Sequence, residues 1–177
     1  AKHRWITSPA QFIWLWGAPE AAAALARAGY VLTVISNQRG ISSGAVSPGT
    51  LRAVEDLIQL RLAEHGCQIT AFEYCPHGPQ AGCECRKPRP AMITKLARDL
   101  DLDVKRSWVI GDSPADVLAG RAAGCRTALI GESPADCAPD ITAPSLNAAA
   151  ALVLQEANAD QPPGSVRPAS NSSTSAW

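Results

Sequence analysis

"SWVIGDSPADVLAGRAAGCRTALIG", residues 107–131, reads as one strand–helix–strand unit. The run 107–111 is short and apolar, and residues 113–124 carry Pro114 near the first helical turn and Gly124 as the stop. A second apolar run, 126–131, follows with only Cys125 between. Two such strands joined through a helix lie parallel in one sheet, with the acidic loop "GDSPAD" at the carboxyl end of the first.

The same alternation extends toward the amino terminus. "YVLTVIS" (30–36) is almost wholly apolar and β-branched, the pattern of a strand buried on both faces. It follows a predicted helix at 19–29 that opens on Pro19 and ends on Gly29. Residues 50–65 place Leu51, Val54, Ile58 and Leu62 at helical spacing before Gly66. "QITAFEY" (68–74) is a further strand, 90–100 a helix, and 145–155 an alanine-rich final helix. The predicted fold is α/β: a Rossmann-like parallel sheet flanked by helices over residues 1–155. From 156 to 177 the composition turns to Pro, Ser, Asn and Gly, which predicts a disordered tail.

Bulk composition narrows the partners. In 177 residues, 46% apolar and 18% charged content is globular, and 16 basic residues balance 16 acidic ones. No net field recruits nucleic acid or an anionic membrane, and no stretch is long and apolar enough to span a bilayer. Phe12–Trp16 is apolar but too short for a signal peptide and lacks a small-residue cleavage site. A cytoplasmic protein acting as a monomer on a small molecule is the expectation. In that reducing setting, six cysteines favour metal ligation or free thiols over disulfides.

Four of the potential ligands crowd one loop. "YCPHGPQAGCECRKPRP" (74–90) holds Cys75, His77, Cys83 and Cys85, one tetrahedral set for zinc with no open position. The site is therefore expected to be structural. Cys67, Cys125 and Cys137 have no comparable neighbours and read as buried or free thiols. His65 reads as a helix end.

Polar residues also gather where ligands bind in open parallel sheets, beyond the carboxyl ends of strands. Ser36-Asn37-Gln38-Arg39-Gly40 follows the strand at 30–36, Arg86-Lys87-Pro88 follows the zinc loop, and Gly111-Asp112 follows the strand at 107–111. A hydroxyl, a lysine and a carboxylate converging on one crevice suit a phosphate with Mg2+. Singly each has a plainer reading: a turn pair, a solvated basic pair, a helix cap.

In this order the segments resemble the haloacid dehalogenase (HAD) superfamily of phosphotransferases, with Ser36 at its second motif, Lys87 at its third and "GDSPAD" at its acidic fourth. Within it, "SNQRGI", the zinc loop and "SWVIGDSPADVLAGRAAG" are similar to the D-glycero-D-manno-heptose 1,7-bisphosphate 7-phosphatases over residues 5 to 153. Histidinol-phosphatases, which carry a similar zinc loop, are the alternative. The resemblance implies that Ser36 and Lys87 stabilise the transferring phosphoryl group. It implies further that Asn37, Gln38, Arg39 and Arg86 contact a sugar phosphate, that Asp112 holds Mg2+, and that Cys75, His77, Cys83 and Cys85 hold Zn2+. Ser36 replaces the usual threonine, Arg39 the usual serine, and Ser113 a frequent lysine.

The family's first motif, a strand ending in Asp-x-Asp-Gly, supplies the nucleophile and the general acid/base. No aspartate precedes Asp56, and the chain opens on Ala1 with Met92 as its only methionine. Asp112 and Asp116 are assigned to the metal side of the crevice. The expectation is a chain truncated ahead of its central strand, inactive by itself, with a gap between the strands at 30–36 and 107–111. The competing reading is a non-catalytic, zinc-stabilised binding domain. Nucleic-acid binding through Arg86, Lys87 and Arg89 lacks interleaved aromatics, and thiol redox chemistry lacks a Cys-x-x-Cys.

Overall fold

In the computed structural model, which describes residues 5–159, five short strands and five helices alternate along the chain. Helix α1 (Ala18–Arg27) leads to β1 (Thr33–Asn37), α2 (Pro48–Ala63) to β2 (Ala71–Cys75), and α3 (Ala91–Asp99) to β3 (Trp108–Gly111). The opening unit is closed by α4 (Pro114–Ala123) and β4 (Arg126–Ile130), after which come β5 (Ile141–Ala143) and α5 (Leu146–Ala159). Helix α5 continues through Ala159, into the first residues of the tail expected at 156–177, and the rest of that tail lies outside the described residues.

Local signals account for the helix ends. Ser47 accepts a hydrogen bond from the Thr50 amide at the start of α2, directly before Pro48. Ser113 and Asp116 form a reciprocal capping box on α4, and Gly124 ends that helix at φ 85°. Strand β1 begins at Thr33 rather than Tyr30, because β2 provides a partner only from Ala71 onward. The three-residue strand β5 has too little pattern to be read from sequence.

All pairings are parallel, yet they make two sheets. β1 pairs with β2, Thr33 opposite Ala71 through Asn37 opposite Cys75. The second sheet runs β3–β4–β5, with Gly111 opposite Leu129 and Ile130 opposite Ala143. The same helical layers cover both. On one face α1 packs on α5, and their buried Ala21, Leu25, Ala150 and Val153 receive Leu32, just before β1, together with Trp108 and Ile110 of β3. On the other face α3 lies against β1, β2 and α4, while α4 lies on β3 and β4. Alternation along β4 confirms the two faces: Ala128 packs with Ala149 of α5, and Leu129 with Val117 of α4.

β4, flanked on both sides, has a buried centre, whereas every residue of β1 and β3 is only half-buried. β1 and β3 each present one edge to which no described strand bonds. Phe12–Trp16 forms no helix or strand, and Ile13, Leu15 and Trp16 are exposed. No described helix is long and apolar enough to cross a membrane.

Amide hydrogen exchange reads this asymmetry. Amides of β4 should be the slowest of the sheet, and those of β1 and β3 that point away from β2 and β4 should exchange with little protection. Equal protection across all three strands would contradict the two-sheet arrangement.

Candidate functional site

The carboxyl ends of β1 and β3 meet at one ammonium group. Lys87 Nζ donates to the Ile35 carbonyl of β1 at 3.0 Å and stands 2.6 Å from Asp116 Oδ1 on α4. Both side chains are nearly buried, 11% and 8% exposed, so the pair is shielded from solvent. The lysine thus satisfies a carbonyl of β1 and ties that strand to the first turn of α4, which follows β3. Its own backbone is held as firmly. Asn37 accepts from the Lys87 amide at 3.0 Å and donates to the Lys87 carbonyl at 3.1 Å. Both polar atoms of Asn37 are thereby committed to fastening the Arg86-Lys87 segment to β1.

Ser36, one residue after the carbonyl that Lys87 binds, accepts from Gln38 Nε2 at 3.1 Å. The Gln38 amide donates to the Cys75 carbonyl at 2.7 Å, extending the β1–β2 contact past the strand end. Asn37 and Lys87 are therefore brought together, with Ser36 next to Asn37 along β1. Arg86 lies farther out, donating to the His77 carbonyl at 2.8 Å. The Arg39 side chain lies beside Gly78 of the same loop.

Two aspartates share the end of β3, and they differ. Asp112 is exposed, with no hydrogen bond or ion pair among the described residues. As a hard oxygen donor beyond a strand end, it suits a divalent cation. Asp116 is buried; its Oδ2 accepts from the Ser113 amide at 3.1 Å and the Ser113 hydroxyl at 2.7 Å, and its Oδ1 faces Lys87. It serves as counterion to the lysine, a role that its place in the acidic loop did not reveal. Gly111 makes room for it: a Cβ there would stand 2.4 Å from the Asp116 carboxylate.

The cysteine loop closes on itself. Cys75, His77, Cys83 and Cys85 offer ligand atoms all within 4.8 Å of one another. The Cys85 sulfur is 3.2 Å from that of Cys75 and 3.6 Å from that of Cys83, and 3.3 Å from His77 Nδ1. A tetrahedron with zinc–thiolate bonds of about 2.3 Å has edges of about 3.8 Å, so the four donors are set to hold such an ion. Crowding already separates the thiols. Burial and the neighbouring Cys75 and Cys83 push the Cys85 thiol up to about 12. Burial works against ionisation of Cys83 too, but hydrogen bonds from Cys85 and Cys75 outweigh it and hold that thiol below its usual value. Outside the cluster, Arg89 donates to the carbonyls of Gly82 and Cys83 and pairs with Glu84, bracing the loop from behind. Cys67, Cys125 and Cys137 stand apart as free thiols.

The parallel strands flanked by helices are the architecture of HAD-like hydrolases. A family model described as HAD-hydrolase-like matches residues 84–149. The D-glycero-beta-D-manno-heptose-1,7-bisphosphate 7-phosphatase of Bordetella bronchiseptica is 38% identical over 125 residues, spanning 71% of this chain and 70% of the relative. Its namesake in Pseudomonas aeruginosa is 38% identical over 111 residues, spanning 63% of this chain and 62% of the relative. The crystal structure of the B. bronchiseptica D,D-heptose 1,7-bisphosphate phosphatase, complexed with magnesium and phosphate, superposes with a TM-score of 0.77 at 34% identity. That match covers 86% of this chain and 89% of the other. The enzyme of the same description from Burkholderia thailandensis gives a TM-score of 0.61 at 27% identity, covering 82% and 89%. The chain belongs to the family of HAD phosphatases that these heptose-bisphosphate phosphatases represent.

Asp116→Asn should cost about 3–5 kcal/mol in urea unfolding, because it leaves the Lys87 ammonium buried without its counterion. Asp112→Asn, at an exposed position, should change stability by less than about 0.5 kcal/mol. Equal effects of the two substitutions would contradict the division of roles.

Proposed function

We propose that this chain carries the phosphate- and metal-binding part of a Mg2+-dependent sugar-bisphosphate phosphatase that converts D-glycero-D-manno-heptose 1,7-bisphosphate to the 1-phosphate. The observation that carries the reading is the Lys87 junction: an ammonium fixed between Asp116 of α4 and the β1 carbonyl of Ile35, one residue before Ser36 along the strand. The family relationship supports it.

Lys87 and the Ser36 hydroxyl would contact the phosphoryl oxygens and offset charge as it develops in the transition state. Gln38 keeps the Ser36 hydroxyl oriented, and Asn37 keeps the lysine in place. Arg39 and Arg86 would meet the sugar-phosphate body. Asp112 would hold Mg2+, which when bound neutralises phosphoryl charge. The remaining part is a nucleophile. Neither aspartate at the crevice suits it, since Asp116 is spent on Lys87 and Asp112 is reserved for the cation. We infer that a strand set between β1 and β3, bearing Asp-x-Asp-Gly, completes the site. Its first carboxylate would attack phosphorus and expel the sugar alkoxide, and its second would protonate that leaving oxygen. Water then hydrolyses the aspartyl-phosphate.

The chain alone should release no phosphate from heptose 1,7-bisphosphate. A chain extended at its amino terminus by an apolar strand ending in Asp-x-Asp-Gly should do so when Mg2+ is supplied. A folded extended protein without turnover would refute the reading, and preferential hydrolysis of histidinol phosphate would replace the substrate.

Zinc in the Cys75–His77–Cys83–Cys85 set would act as a clasp, holding a long loop that has little apolar core of its own. Removing the metal with a chelator should lower the melting temperature. Cys85→Ser should abolish that sensitivity, whereas Cys67→Ser should leave it intact. A melting temperature indifferent to chelation would refute the structural role.

A further inference from the structure

Charge at the crevice is unevenly compensated. The Lys87 ammonium is paired with Asp116, and Arg89 on the back of the loop with Glu84. Arg39 and Arg86 form no ion pair among the described residues. The side chains of these two arginines flank the His77–Gly78 stretch of the cysteine loop. Arg86 donates to the His77 carbonyl, and the Arg39 stem lies where a Cβ on Gly78 would be 3.5 Å from its Cδ.

Arg39 is also held from the other side. Its Cζ lies 5.7 Å from the centroid of the Trp5 ring, within range of attraction by the ring's negative face. Trp5 is itself seated on Gly40, where a Cβ would come 3.2 Å from its Cδ1. The half-buried guanidinium is thus confined between an aromatic face and a loop glycine, so binding an anion costs it little further conformational entropy. Planar, permanently charged and paired with no carboxylate among the described residues, it is suited to a phosphate.

Resting on the phosphatase reading above, we propose that Arg39, positioned by Trp5, joins Arg86 in binding the phosphate that does not react, and so selects bisphosphates over monophosphates. The reacting phosphate takes the inner position at Ser36 and Lys87; the second meets the outer pair. Trp5 acts through Arg39 and is a positioning residue.

The test is calorimetric titration of the zinc-loaded chain with heptose 1,7-bisphosphate and, separately, with heptose 7-phosphate. The unaltered protein should favour the bisphosphate. Arg39→Ser should weaken the bisphosphate about tenfold, the scale of one charged hydrogen-bonding contact, while leaving the 7-phosphate affinity unchanged. Trp5→Leu should lower the same preference by a smaller factor. A bisphosphate affinity unchanged by Arg39→Ser, or an equal loss for both ligands, would overturn the proposal and leave the phosphatase reading standing. Failure of the unaltered protein to bind either ligand would overturn both.

Discussion

Everything at this site hangs on the placement of one ammonium group. Lys87 comes from the end of a long loop, yet it binds a β1 carbonyl and an α4 carboxylate. A charge so nearly buried is tolerated only because it is paired and hydrogen-bonded, and the pair in turn fixes how the two half-sheets face each other. The supporting contacts point the same way. Asn37 clamps the lysine's backbone, Gly111 leaves space for its counterion, and Ser113 holds that counterion through two hydrogen bonds.

The cysteine loop belongs to this logic. A run containing four prolines and two glycines between Tyr74 and Pro90 cannot bury enough apolar surface to hold itself. Four converging soft donors offer another route to rigidity, and the last of them, Cys85, is separated from Lys87 only by Arg86. Ordering at the clasp is delivered almost directly to the lysine and to Arg86, while Arg89 fastens the outer side to the carbonyls of Gly82 and Cys83. With a metal bound, the proposed clasp would serve as scaffolding for the crevice.

The sequence made the α/β alternation legible because each element carries its own local signal: Pro and Gly at helix ends, apolar runs in strands, donors clustered in one loop. The strand-end residues could likewise be grouped, since parallel topology alone brings the carboxyl ends of successive strands together. Other features escaped for physical reasons. β5 is only Ile141–Ala143, too short for a period. Sequence alone assigns Asp116 to the metal side of the crevice, because its pairing with Lys87 exists only once α4 is packed beside the Lys87 loop. The clamp by Asn37 was hidden in the same way, because it reaches backbone atoms of Lys87 that no residue pattern encodes. Arg39 is grouped with the sugar-phosphate contacts through the resemblance alone; its confinement between Trp5 and Gly78 required coordinates.

The central claim is that Lys87, set by Asp116 and Asn37, builds a phosphate site that a divalent cation completes. Titration of the zinc-loaded chain with inorganic phosphate, followed by phosphorus NMR with and without Mg2+, tests it most directly. The account predicts saturable binding that Mg2+ strengthens and Lys87→Met abolishes. Binding indifferent to both the cation and the lysine, or no binding at all, would contradict it.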